Sequence, residues 1–334
     1  MSRFGLKEAL LAAGVSMASL GVGCGGEKDE VNDQVCEEEI FSPGEEMISN
    51  PDNALFTSQE SIYDDFYEKI KFLPISKGKI YNEEWERISL QEGVKMYKNR
   101  FSSEFWLRQH FDSIISDDEY RIELHEYIVK SCKKYDVPEE VAMGVMATES
   151  GGDRNARSNS KPSARGVFQL VPNTAVAMGL KLEGKIKNQD EYQVDERYDV
   201  EKNVEAGVKY LRSLYNRFGD WSLALVAYSG GPTKLEDYVC QDYDLPCQET
   251  NYKKRDGDNY MALTPEGRFL YREMVSHGEI NLVDMYSKEF KGHGTDHNFQ
   301  YPFYIAKIGE QARNVLETGE VLDIPEEIRL KLNK

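Results

Sequence analysis

Glu149 closes the apolar run Pro138-Glu139-Glu140-Val141-Ala142-Met143-Gly144-Val145-Met146-Ala147-Thr148 and precedes Ser150-Gly151-Gly152. The run predicts a buried helix that the glycines stop. A carboxylate in that place meets the negative end of the helix macrodipole and loses water to apolar neighbours. Both effects favour the protonated acid and raise its pKa, which suits a group that delivers a proton to a leaving oxygen. Taken alone, the segment fits a surface glutamate at a frayed helix end better, and the residues downstream reverse that reading. Further groups follow: the loop Ser160-Lys161-Pro162-Ser163-Ala164-Arg165-Gly166-Val167-Phe168-Gln169, the run Asp195-Glu196-Arg197-Tyr198-Asp199, and Ala227-Tyr228-Ser229-Gly230-Gly231-Pro232.

The elements that must position these groups are helical. Residues 119–135 place Ile122, Tyr127, Ile128 and Cys132 near a 3.6 period, and Asp136-Val137-Pro138 opens the Glu149 helix. Asn173-Thr174 starts a short helix that Gly179 stops. Residues 201–218 are periodic through Val204, Val208, Leu211, Leu214, Tyr215 and Phe218, ending at Gly219. Asp220 caps the next helix, and Trp221 beside it belongs to the core. Thr264-Pro265-Glu266 starts another, and 302–318 and 325–332 read as helical. No sustained period-two alternation is visible, so the fold is expected to be mainly α. Asp195 to Asp199 reads as a structural loop in which Arg197 pairs internally.

The chain has 334 residues and a formal net charge of −18, which argues against nucleic acid and against anionic lipid as partners. Arg3 and Lys7 precede an apolar, small-residue run from Ala9 to Val22, too short to span a bilayer and ending at Cys24. Residues 1–23 therefore read as an export signal. It resembles a lipoprotein signal with Cys24 as the lipidated residue, which would leave the protein in the cell envelope, anchored to membrane and facing the periplasm. Residues 24–58 are an acidic tether, and 59–118 an aromatic-rich helical N-terminal region. Cys36, Cys132, Cys240 and Cys247 permit two disulfides with the pairing open. Cys240 with Cys247 is the local option, and Cys132 fits a buried free thiol as well. Gly292-His293-Gly294-Thr295-Asp296-His297 reads as a polar loop rather than a metal site, and Asp256-Gly257-Asp258 lacks the spacing of a calcium loop. No metal or cofactor is expected.

The order Glu149-Ser150, Gly166-x-x-Gln169, Tyr210-Leu211 and Ala227-Tyr228 resembles the catalytic domain of soluble-lytic-transglycosylase (SLT) enzymes, which have a lysozyme-like fold and act on peptidoglycan. Val194-Asp-Glu-Arg-Tyr-Asp199 and Phe218-Gly-Asp-Trp-Ser-Leu-Ala224 look most like the membrane-bound D branch. The resemblance implies a catalytic domain over 119–239 plus 300–318, an insertion expected to be helical over 240–299 that flanks the cleft, and a C-terminal helix at 319–334. It implies Glu149 as the acid/base, Gln169 as a sugar-binding amide, and Phe168 at a hydrophobic subsite. Tyr228 and Tyr304 become cleft tyrosines, and Ser150, Ser160, Gly166 and Ser229 join the substrate-binding set. Ser229 stands where the family carries Asn, Ser163 where it carries Gly, and Val167-Phe168 where it carries an aliphatic residue with Met or Trp.

Most glycosidases need two carboxylates, and here only Glu149 has a convincing place, Asp153 lying across two glycines. One suffices if the substrate's own hydroxyl is the nucleophile. The expected activity is lytic cleavage of peptidoglycan glycan strands. The alternatives are a goose-lysozyme-like muramidase and a non-catalytic peptidoglycan-binding protein.

Overall fold

The computed structural model describes residues 103–323, apart from 161, 187–190, 255–256, 281–284 and 286–295. The export signal with Cys24, the tether with Cys36, the start of the aromatic region, the helix over 325–332 and most of the histidine loop lie outside the described residues.

Short helices α1 (Glu104–His110) and α2 (Asp112–Ile115) lead into α3 (Asp118–Tyr135). The Asp117 carboxylate accepts from Tyr120 N–H at 3.0 Å and starts α3. Its inward stripe is Tyr120, Leu124, Ile128 and Cys132, a strict i, i+4 series, whereas Ile122 is 50% exposed. Cys132 is a free buried thiol, and burial pushes its pKa well up.

The Glu149 helix, α4 (Glu139–Ser150), buries every residue from Val141 to Ala147. After the short α5 (Pro172–Ala177) comes a hairpin, β1 (Leu182–Lys185) against β2 (Tyr192–Asp195). Then α6 (Val200–Phe218) is capped by the Asp199 carboxylate and ended by left-handed Gly219. Asp220 accepts from Leu223 N–H at 3.0 Å and opens α7 (Trp221–Gly230). Trp221 to Ala227 are all buried, as expected of a helix apolar on every side that runs through a core.

α8 (Pro232–Asp242) follows, then a second hairpin, β3 (Cys247–Lys253) against β4 (Asn259–Leu263), and α9 (Pro265–Ser276). The segment after residue 239, expected to be helical, thus begins with strands. Two buried acids of α8 hold it down. Glu236 accepts from Arg217 Nε (2.8 Å), Arg268 Nε (3.1 Å) and Leu263 N–H (3.3 Å). Asp237 takes Met261 N–H at 2.7 Å and pairs with Lys254 Nζ at 2.8 Å. Cys240 and Cys247 form a disulfide across the α8–β3 turn. Replacing Cys240 by Ser is expected to cost about 2 kcal/mol, the loop-closure value for so short a loop, measured as thermal unfolding with and without reductant.

The last described helix, α10 (Asp296–Thr318), crosses α4 closely. At Gly144 a Cβ would stand 2.7 Å from Ile305 Cγ2 and 2.9 Å from Ile305 O, so only glycine lets the backbones meet. This contact fixes the rotation and height of α10 against the helix that ends in Glu149.

Candidate active site

Glu149 sits half-buried one residue before the end of α4. Gly151, at φ 63°, ends the helix and returns its N–H to Ala147 O at 3.0 Å. His110 Nε2 donates to the same carbonyl at 2.7 Å. Tyr120 O–H donates to Gly152 O at 2.7 Å, so the N-terminal helices back the turn behind the glutamate. Glu149 Oε1 accepts a 2.6 Å hydrogen bond from Tyr301 O–H, and Tyr301 is wholly buried. A donated bond of this kind stabilises the carboxylate that remains once a proton has been delivered.

The loop 158–170 forms the facing wall. Gly166, at φ 74°, lies against Arg197 O, 2.1 Å from where a Cβ would be. Asn203 clamps the loop: its Oδ1 takes Phe168 N–H at 2.8 Å, and its Nδ2 reaches Arg197 O at 2.9 Å. Gln169 adopts φ 46°, a left-handed conformation costing a non-glycine residue on the order of 1 kcal/mol or more. Its Nε2 donates to Gly166 O at 2.8 Å. Tyr228 O–H donates to Phe168 O at 2.7 Å, and its ring lies parallel to that of Tyr301, 6.4 Å between centroids. Burial, then the charge of Glu149, raises the Tyr228 pKa well above the usual phenol range, so it stays a donor.

Behind this wall Arg197, wholly buried, holds Asp195 through two bonds (2.8 and 2.7 Å) and reaches Ser163 O at 2.8 Å and Leu170 O at 3.3 Å. Arg165, also buried, donates to Tyr198 O–H at 2.7 Å and lies 3.8 Å from Asp195. The segment around Asp195 is structural, with Arg197 paired internally, as its sequence suggests.

The site residues named from sequence fall into different places. Glu149, Gln169 and Tyr228 belong to these facing walls. Ser150 is a fastener, donating to Val167 O at 2.8 Å and to Met146 O at 3.2 Å, and Ser160 pairs with Ser158 Oγ at 3.0 Å. Phe168 corrects the expectation of a subsite surface. Its ring is 0% exposed and fills the space that Gly207 leaves on α6, so only its carbonyl serves the site. Ser229 Oγ donates to Asn298 Oδ1 at 3.1 Å. Tyr304 O–H donates to Gln300 Oε1 at 3.1 Å, while Tyr301, three residues earlier, reaches Glu149. Sequence reasoning missed Tyr301; the signal was an aromatic one turn away on the same helix face. Asp153 accepts from Asn155 N–H at 2.8 Å and acts on the Tyr120 phenol.

Removing the Tyr301 hydroxyl tests the pairing. Tyr301→Phe is expected to lower turnover about tenfold, the weight of one charge-assisted hydrogen bond, with thermal stability little changed.

Part of the chain is similar to known proteins. Residues 126–251 match the model of the Transglycosylase SLT domain. A transglycosylase of Enterobacteria phage PRD1 is 34% identical over 106 residues, covering 32% of this chain and 34% of the phage protein. Membrane-bound lytic murein transglycosylase E of Buchnera aphidicola is 30% identical over 94 residues, 28% of this chain and 40% of that protein. Membrane-bound lytic murein transglycosylase C of Haemophilus influenzae is 33% identical over 93 residues, 28% and 25%. The chain thus spans a quarter to two fifths of the length of these relatives. It contains a mainly α, lysozyme-like transglycosylase SLT domain at residues 126–251.

Proposed function

We propose that the protein is a peptidoglycan lytic transglycosylase that cleaves the β-1,4 linkage between MurNAc and GlcNAc, with Glu149 as its only proton-transferring group. The observation that carries this reading is the Glu149 carboxyl at the end of α4, bonded by Tyr301 O–H at 2.6 Å, with the Tyr228 ring lying parallel to that of Tyr301. Glu149 first gives its proton to the glycosidic oxygen, and the GlcNAc leaves as an alcohol. The acetamido oxygen of the muramyl sugar supports the oxocarbenium-like carbon. Glu149, now a carboxylate steadied by Tyr301, takes the proton from the sugar's 6-hydroxyl as that oxygen bonds to C1. The product is a 1,6-anhydro-MurNAc end, no water is consumed, and the acid is regenerated.

Mass spectrometry of muropeptides released from purified sacculi tests this. Anhydro ends support transglycosylation; reducing ends would assign the same acid to a hydrolase. The address at the N-terminus supports an envelope location with Cys24 as lipid anchor, and two of the relatives are named membrane-bound. Loss of membrane fractionation in Cys24→Ala, with catalysis intact, is the expected result.

A further inference from the structure

One turn before Tyr301, α10 carries another inward polar side chain. Asn298 is 8% exposed and its Oδ1 accepts from Ser229 Oγ at 3.1 Å. Its carboxamide lies over Gly230, where a Cβ would stand 2.6 Å from Nδ2 and 2.8 Å from Cγ, so glycine is needed for the amide to sit there. Ser229 adjoins Tyr228, whose ring lies parallel to Tyr301. The pair Asn298–Ser229 therefore continues the row formed by Glu149, Tyr301 and Tyr228. It also lines a shallow depression with Gly231, Lys234 and Tyr238 at the start of α8.

Ser229 occupies one side of the amide only. Among the described residues no acceptor is matched to Asn298 Nδ2, and the atom is not among the polar groups sealed from solvent, although the residue as a whole is 8% exposed. A donor whose partner oxygen is already fixed and which is open to the site can bond an arriving acceptor without first breaking a bond within the protein. With its oxygen taken by Ser229, the amide has only its N–H2 to offer, and an amide carbonyl oxygen is an acceptor that matches it.

We propose that Asn298 is a substrate-binding residue: held by Ser229 over Gly230, it donates from Nδ2 to an amide carbonyl of the bound glycan. The inference rests on the glycan-cleaving reading above. Two groups on such a strand offer that chemistry, the acetamido group of a sugar and the first amide of a peptide stem.

Kinetics on stem-free N-acetylated strands and on peptide-bearing strands test it with Asn298→Ala, Asn298→Asp, and Asn298→Ala combined with Ser229→Asn. Asn298→Asp keeps the acceptor for Ser229 and removes the donor. Both single variants are expected to raise KM about tenfold, one hydrogen bond's worth, with kcat changed much less. The combined variant returns a carboxamide from the neighbouring position and should recover most of the loss. An effect on both strands assigns the acetamido group; an effect on peptide-bearing strands alone assigns the stem. Unchanged KM in Asn298→Asp on both strands overturns the proposal. A wild type that cleaves neither strand sinks the glycan-cleaving reading instead. Co-sedimentation with intact sacculi then decides Asn298: weaker binding of Asn298→Asp upholds it, and equal binding overturns it.

Discussion

Glu149→Gln is expected to lower the release of muropeptides by at least about 10² to 10⁴, the range over which a positioned general acid/base contributes. The substitution keeps the size of the side chain and the oxygen facing Tyr301, so the 2.6 Å contact can persist with an amide carbonyl as acceptor. The fold and the apolar body of α4 are untouched, and the unfolding temperature should move little. An amide neither gives nor takes the proton, so both halves of the reaction fail together. Substrate binding should survive, which separates this variant from Asn298→Asp, where KM carries the effect. Cell-wall lysis at wild-type rates by Glu149→Gln would refute the assignment of the acid.

Asp195→Ala is expected to destabilise the protein by about 3–5 kcal/mol, read from urea unfolding. Asp195 is the shared carboxylate of two buried guanidinium groups, Arg197 at 2.7 Å and Arg165 at 3.8 Å, whose side chains are 0% and 1% exposed. Removing it leaves both cations in the interior. Asp195→Asn should cost less, because its amide oxygen still accepts one bond from Arg197. The loss should also reach the site, since Arg197 holds Ser163 O and Leu170 O at the two ends of the Gln169 loop. A cost below about 1 kcal/mol for Asp195→Ala would mean that this network does not hold the loop.

Much of this arrangement is written in local signals. Gly219, Asp220 and Thr264 mark helix ends in the sequence and cap or terminate helices in the structure. What eluded sequence reading depends on distant residues. Ile122 fits an apolar period but lies off the stripe that α3 turns inward. The hairpin strands are short, and β3 has the irregular burial of Cys-Gln-Glu-Thr-Asn-Tyr-Lys, so no alternation announces them. Phe168 looks like a cleft aromatic until Gly207 provides the hole it fills. The choice between Tyr301 and Tyr304 is made by the rotation of α10, which the crossing at Gly144 sets. The sequence Leu235-Glu-Asp-Tyr238 looks like a solvated turn of helix, and nothing local says that both acids are buried.

Those two acids govern how the protein could be remodelled. Glu236 and Asp237 belong to a helix that precedes the β3–β4 hairpin, yet Leu263, Arg268, Met261 and Lys254, all of which bond to them, come from the hairpin and the helix after it. Cutting the segment out would strip two interior carboxylates of most of their counterparts, and the shortened protein would fail for electrostatic reasons. A minimal version of the domain must therefore exchange Glu236 and Asp237 for apolar residues of similar size in the same step. A transplant of the hairpin into a shorter relative must carry both acids with it.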